Sequence, residues 1–185
     1  MNYITLDSRL QVQHTSQFLD RYLEIALDRE IKRSERYDLS LAVIFLDVDM
    51  LKVINDTYGH LIGSRVLKEV GVVLKKSVRE VDIVIRYGGD EYTILLVETA
   101  RTGAAIVAER IRKTLEEHSF ILGDNLEVKL TASLGFACYP EDTKSKLELM
   151  EMADRAMYYG KASGKNIVAH ISASPSPNCP EMNAR

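Results

Sequence analysis

Residues 81–97, VDIVIRYGGDEYTILLV, set two β-rich apolar runs on either side of a glycine pair and two adjacent carboxylates. Val81, Ile83, Val84 and Ile85 make the first run, and Tyr92 to Val97 make the second. Joined through Gly88 and Gly89, they read as a β-hairpin whose turn uses positive φ, which glycine adopts without steric cost. Asp90 and Glu91 then stand at a tight turn, where side-chain bulk is low and a phosphate can come close to the backbone. Taken alone, the same residues also describe a hairpin with a charged, solvated tip.

Outward from the hairpin, the run Leu39 to Asp49, LSLAVIFLDVD, is apolar on both alternating faces and ends abruptly in Asp47 and Asp49. A strand of this kind is covered on both sides. Strands that end in carboxylates beside an acidic hairpin suggest a metal. Magnesium takes oxygen ligands and is usually held by one or two carboxylates plus substrate phosphates. If this strand and the hairpin are neighbours in one sheet, Asp47 and the Asp90/Glu91 pair reach the same ion or pair of ions. If they are not, these are two separate solvated acidic clusters.

The rest of the chain supplies helices around these strands. Residues 1–14 are polar and unpatterned, whereas Phe18, Leu19, Tyr22, Leu23, Ala26 and Leu27 recur at helical spacing in a segment reaching about Tyr37. Lys52 to His60, KVINDTYGH, combines a short apolar segment with Asn, Asp and Gly turn chemistry. A second helix buries Ile62, Val66, Val70, Val73 and Leu74, and a third carries Ala104, Val107, Ala108, Ile111 and Leu115. Gly123 to Asn125 marks a turn before a strand around Val128 to Ala137. A fourth helix is capped near Asp142 or Thr143, buries Leu147, Met150, Ala153 and Met157, and stops by Gly160 or Gly164. Ile167 to Ala169 gives a last strand, and a Pro- and Ser-rich tail from Ser172 reads as disordered. The predicted class is an α/β sandwich with helices packed on a mainly antiparallel sheet.

With 185 residues, 46% of them hydrophobic and 28% charged, the chain has room for one domain with one substantial core. Its formal charge of −3 gives no overall attraction to a nucleic-acid polymer or an anionic membrane, so any phosphate site is local. Cys138 and Cys179 are too few and too ill-placed for a disulfide framework, which fits a reducing cytoplasm. No apolar stretch has spanning length and no signal-like N-terminus appears, so membrane insertion is not expected.

Together RYGGDEY, the preceding FLDVDMLKVINDTYGH and the following ADRAMYYGKASGKN resemble the GGDEF domain of diguanylate cyclases, over roughly residues 7 to 170. The usual acidic, Leu-Thr-Gly-Leu, Asn-Arg opening of the family falls on Asp7 to Thr15, where little beyond Asp7 is retained. The resemblance implies a palm-like, ferredoxin-related fold shared with nucleotide cyclases and polymerases, with residues 15–170 as the nucleotidyltransferase domain, 1–14 an extension and 171–185 a tail. It implies cyclic dinucleotide synthesis by a homodimer, in which two 3′-hydroxyls attack two α-phosphates and pyrophosphate leaves. Such chemistry is mostly positioning plus neutralisation of oxygen charge.

By the same resemblance Asp47, Asp90 and the Val48 carbonyl are ligands of magnesium, or of manganese in its place, and Glu91 is a further metal ligand or its close support. Asp90 is also the proton acceptor for the 3′-hydroxyl, and Lys52 faces the triphosphate. Lys161 and Lys165, in KASGK, match phosphate-binding positions; Lys165 stands for the usual arginine and keeps its charge without the planar fork. Gly88 and Gly89 admit the phosphates to the backbone, while Asn55 and His60 match positions near purine and ribose. Ser64 replaces an aspartate that accepts from guanine N1–H and the 2-amino group. Serine can donate or accept, as in the promiscuous subset of the family that uses ATP beside GTP and makes 3′,3′-cyclic GMP-AMP. Arg79 and Asp82, in REVD, with Arg110, match a product-inhibition site for a guanine-containing cyclic dinucleotide. The alternative is a binding module that keeps this site and senses cyclic di-GMP without making it.

Overall fold

The computed structural model describes residues 12–122 and 126–171. The expected polar N-terminal segment up to residue 11, the Gly123–Asn125 turn, and the tail from Ser172 with Cys179 lie outside the described residues. Helix α1 spans Val12–Tyr37 and thus begins inside the segment expected to be unpatterned. Strand β1 (Leu41–Val48), helices α2 (Leu51–Tyr58) and α3 (His60–Ser77), and strands β2 (Ile83–Arg86) and β3 (Glu91–Leu96) follow. Next come α4 (Arg101–Glu117), β4 (Phe120–Leu122), β5 (Leu126–Val128), β6 (Ala132–Tyr139), α5 (Lys146–Ala162) and β7 (Val168–His170).

Five strands form one sheet in the order β2-β3-β1-β6-β7, with β4 and β5 a separate two-stranded ribbon. Pairing is antiparallel throughout the sheet except between β6 and β7. Helices cover both faces, which is why β1 is buried at every position. Its Ala42, Ile44, Leu46 and Val48 join the core with α2, α3 and α4, while Leu41, Val43 and Phe45 join the core with α1 and α5. Each large side chain so buried contributes about 1.5–3 kcal/mol. By the same alternation Asp47 belongs on the α1/α5 side.

Helix α5 lies against the backbone of β6. A β-carbon on Gly135 would fall 2.0 Å from the Met157 nitrogen and 2.3 Å from the Ala153 carbonyl oxygen. Glycine is required there by close approach, and the approach brings the C-terminal turn of α5 beside the end of β1.

The structure departs from the sequence expectations in several places. The KVINDTYGH segment, read as turn, is mostly helix α2: burial of Leu51 and Ile54 overrides the local preference of Asn55, Asp56 and Thr57. Gly59, at φ +85°, ends α2 and donates its N–H to the Asn55 carbonyl. Gly88 and Gly89 do not adopt positive φ; the turn closes through Tyr87 N–H to the Glu91 carbonyl at 2.9 Å. At Gly88 a β-carbon would lie 3.0 Å from Glu91 Oε2, the end of a side chain free to shift, so close approach does not demand glycine there. Val81 is exposed and precedes the strand.

The run around Val128 to Ala137 divides between β5 and β6, and β4, its partner in the ribbon, escaped the sequence pattern. Ser145, not Asp142 or Thr143, caps α5 by accepting from Glu148 N–H. The buried stripe of α5 is Leu149, Ala153, Ala156, Met157 and Gly160, which leaves Leu147 67% exposed. Asp142 turns inward instead, accepting from Cys138 N–H at 2.7 Å and pairing with Arg101.

Candidate active site

Backbone pairing at the end of β1 assembles the acidic residues. Asp47 stands directly opposite Glu91 in the β1/β3 register, and Val48 N–H donates to the Asp90 carbonyl at 3.1 Å. Arg86 braces the turn between them, its guanidinium donating to the Gly89 carbonyl. The strand tip and the glycine turn therefore form one edge carrying Asp47, Val48, Asp90 and Glu91. Lys161, in the last turn of α5, crosses to this edge and pairs with Asp47 Oδ2 at 2.5 Å.

Electrostatics at this edge are unfavourable by construction. Asp47 is 4% exposed. Burial pushes its carboxyl up to about 6; the Lys161 hydrogen bond opposes that rise, and the charges of Asp90 and Glu91 add to it. A buried carboxylate crowded by two others calls for more positive charge than one ammonium. The donor set is all oxygen, which suits a hard divalent cation. Among the described residues, no group of three His, Cys, Asp or Glu side chains could hold a metal by itself. The fit is thus with an ion that completes its shell from phosphate oxygens.

Asp49, two residues on, has a different fate. It is buried and fully engaged: Oδ1 accepts from Ser133 Oγ at 2.8 Å, and Oδ2 accepts from Thr131 Oγ1 at 2.7 Å and from Asn166 N–H at 3.0 Å. These bonds tie the end of β1 to β6 and to the loop after α5. In that loop Gly164 (φ +124°), Lys165 (φ +63°) and Asn166 (φ +49°) are consecutive positive-φ residues. For Lys165 such a backbone costs about 1–2 kcal/mol, offset in part by its N–H to the Gly160 carbonyl at 3.3 Å. Neither the anchoring by Asp49 nor that by Asn166 was foreseen from sequence, because the partners are 117 residues apart.

The residues expected near the base and ribose gather at the α2/α3 junction. Asn55 lies in the last turn of α2 against Gly63, where a β-carbon would fall 1.9 Å from Asn55 Oδ1. Gly63 thus lets Asn55 lie on the first turn of α3, beside exposed Ser64. His60 opens α3 and is exposed, as is Lys52 on the first turn of α2. Tyr92, in β3, donates its hydroxyl to the Leu67 carbonyl at 2.5 Å and so fixes α3 against the hairpin.

Arg79, Asp82 and Arg110 line one cavity of about 850 Å³, together with Lys76, Val107 and His118. Asp82 is buried, with both carboxylate oxygens taken by backbone: Oδ2 accepts from Arg79 N–H at 2.8 Å and Oδ1 from Val97 N–H at 3.0 Å. Arg110 donates to the Ser77 carbonyl at 2.7 Å, and Arg79 is exposed.

A five-stranded, mostly antiparallel sheet with an acidic turn set against its central strand, under a lysine-bearing helix end, defines a palm-like α/β domain. The chain belongs to the GGDEF family: the family described as diguanylate cyclase, GGDEF domain, matches residues 18–167. It is 42% identical over 129 residues to diguanylate cyclase A of Treponema denticola, covering 70% of this chain and 34% of that protein. The chain spans about a third of the length of this curated relative. Among solved structures, the GGDEF domain of TpbB (YfiN) from Pseudomonas aeruginosa superposes with a TM-score of 0.79 at 31% identity, over 83% of this chain and 89% of that one. The GGDEF domain of DgcB from Caulobacter crescentus, solved in complex with c-di-GMP, gives a TM-score of 0.73 at 29% identity, over 80% and 88%. No described helix is long and apolar enough to cross a membrane.

Proposed function

We propose that this domain is a cyclic dinucleotide synthase that joins two nucleoside triphosphates through two 3′–5′ phosphodiester bonds, releasing two pyrophosphates. The observation that carries the reading is the meeting of Asp47, Asp90 and Glu91 at one sheet edge with Lys161. Asp47, the Val48 carbonyl, Asp90 and Glu91 would hold magnesium, or manganese, which when bound neutralises charge on the reacting phosphate oxygens. Lys52, Lys161 and Lys165 bind the triphosphate, and the low bulk of Gly88 and Gly89 admits it to the turn. Asp90 accepts the proton of the attacking 3′-hydroxyl. Each chain holds one triphosphate, so catalysis requires a homodimer whose two sites face each other.

Asn55 and Ser64 meet the base, and His60 lies near the ribose. A fixed carboxylate at position 64 would repel the unprotonated N1 of adenine, whereas the serine hydroxyl can turn to donate or accept. Losing a paired hydrogen-bond site for one base removes about 1–3 kcal/mol of discrimination. GTP with ATP, giving 3′,3′-cyclic GMP-AMP, therefore joins two GTP, giving cyclic di-GMP, among the reactions of the site. The cavity of Arg79 and Arg110 takes the product and restrains synthesis, a reading supported by the c-di-GMP bound to the DgcB domain. The domain acts in the cytoplasm, where its triphosphates are found.

Equal ATP and GTP with magnesium, followed by separation of products, tests the proposal. Both cyclic GMP-AMP and cyclic di-GMP are expected, and Asp90→Ala should lower both by at least about 100-fold. Cyclic di-GMP alone would remove the role of Ser64. No cyclic product from a dimeric preparation would remove the synthase.

A further inference from the structure

Lys165 sits in a backbone conformation that lysine seldom adopts unaided, at φ +63° between Gly164 and Asn166. Its own N–H donates to the Gly160 carbonyl at 3.3 Å, and from the next residue a chain of hydrogen bonds leaves the site and ends on α4. Asn166 donates its N–H to Asp49 Oδ2 at 3.0 Å, accepts at Oδ1 from Arg112 Nη1 at 2.7 Å, and donates from Nδ2 to Glu116 Oε1 at 2.7 Å. The amide has one chemically allowed orientation here, because arginine only donates and a carboxylate only accepts. Arg112 is itself fixed by Glu109 and Glu116 on its own helix. Each group in the chain has its partner, and all three bonds of Asn166 are charge-assisted, to Asp49, Arg112 and Glu116.

We propose that Asn166 is a positioning residue, clamped by Arg112 and Glu116 of α4 and by Asp49, that aims the Gly164–Lys165 turn at the triphosphate. The inference rests on the reading that Lys165 meets phosphate. Without the clamp, Lys165 at positive φ keeps only its N–H to the Gly160 carbonyl, and a loop that relaxes carries the Lys165 ammonium away from its target. Asn166 touches no substrate; its effect passes through its neighbour. The clamp also explains why Asp49, although beside Asp47, spends its oxygens on hydroxyl and backbone donors.

Asn166→Gly is the cleanest variant, because glycine tolerates φ +49° and keeps the N–H to Asp49 while losing both side-chain bonds. Calorimetric titration of GTP, with calcium in place of magnesium, should give a Kd weakened about tenfold relative to the unsubstituted chain. Guanosine, which carries no phosphate, should bind both proteins alike. Arg112→Met should reproduce this phosphate-dependent loss from the far end of the chain. Unchanged GTP affinity in Asn166→Gly, or equal weakening for GTP and guanosine, would overturn the proposal. Failure of the unsubstituted chain to bind GTP would instead overturn the functional reading on which it rests.

Discussion

At one end of the β2–β3 hairpin, Asp47, Asp90 and Glu91 crowd around the ammonium of Lys161, and Asp47 is driven up to about 6 by burial and by its acidic neighbours. At the other end, roughly 20 Å away along β3, Asp82 is equally buried but has a backbone N–H on each oxygen. Both carboxylates were expected from sequence to face ligands. The structure separates them: one is held in repulsion that a divalent cation would relieve, and the other is saturated by the fold. Repulsion kept in place at a cost to stability is what the proposed cation site would use. Saturation marks a brace, and in the Arg79 cavity the groups left for an anion are cations.

The largest effect that can break this comparison is at Asp47. Its folded-state pKa lies above its unfolded one, so the folded protein binds the proton more tightly. Stability of the nucleotide-free chain therefore falls as pH rises from about 4 through about 6, and stays lower above that. Asp47→Asn should cut turnover by at least about 1,000-fold, an expected loss for a group acting on transition-state charge. In urea melts without divalent ions, it should also raise stability at pH 7.5 by about 1–2 kcal/mol, with little change at pH 4. A variant that is both inactive and less stable at pH 7.5 would mean that Asp47 is a brace like Asp82.

Asp82 should behave in the opposite way. Asp82→Ala strands the N–H groups of Arg79 and Val97 and should cost about 2–3 kcal/mol in urea midpoint, with turnover of the folded fraction retained. Arg79→Ala, on an exposed side chain, should leave stability within about 0.5 kcal/mol and raise activity when product has accumulated. Unchanged product inhibition in Arg79→Ala would empty the cavity of its assigned role.

The same contrast shows what was legible in the chain. β1, β3 and the apolar faces of α3 and α4 were readable because period and burial agree: Val66, Val70 and Leu74 are buried at helical spacing, and every β1 position is covered. Helix α2 was not readable, since Asn55-Asp56-Thr57 favours turns locally and only the docking of Leu51 and Ile54 decides otherwise. One feature of the hairpin misled: its glycine pair suggested a left-handed turn, and neither glycine adopts positive φ. The acidic residues of the site were visible as types and spacing. Which of them is left without backbone donors and which is a clamp depends on Thr131, Ser133, Asn166 and Val97, partners that no local pattern announces.

The smallest effect sharpens the comparison at its positive side. Lys165 is exposed and brings a point charge on a flexible stem, where the resemblance places an arginine. Lys165→Arg adds a planar fork that can make two parallel bonds to one phosphate group, and arginine meets the same φ without further backbone penalty. If the loop is aimed as Asn166 implies, KM for GTP should fall about two- to threefold with kcat nearly constant, because the added contact binds ground and transition states alike. A rise in KM would mean that the turn after α5 faces away from the triphosphate. The positive side of the site would then rest on Lys161, whose partner in the nucleotide-free chain is Asp47 itself.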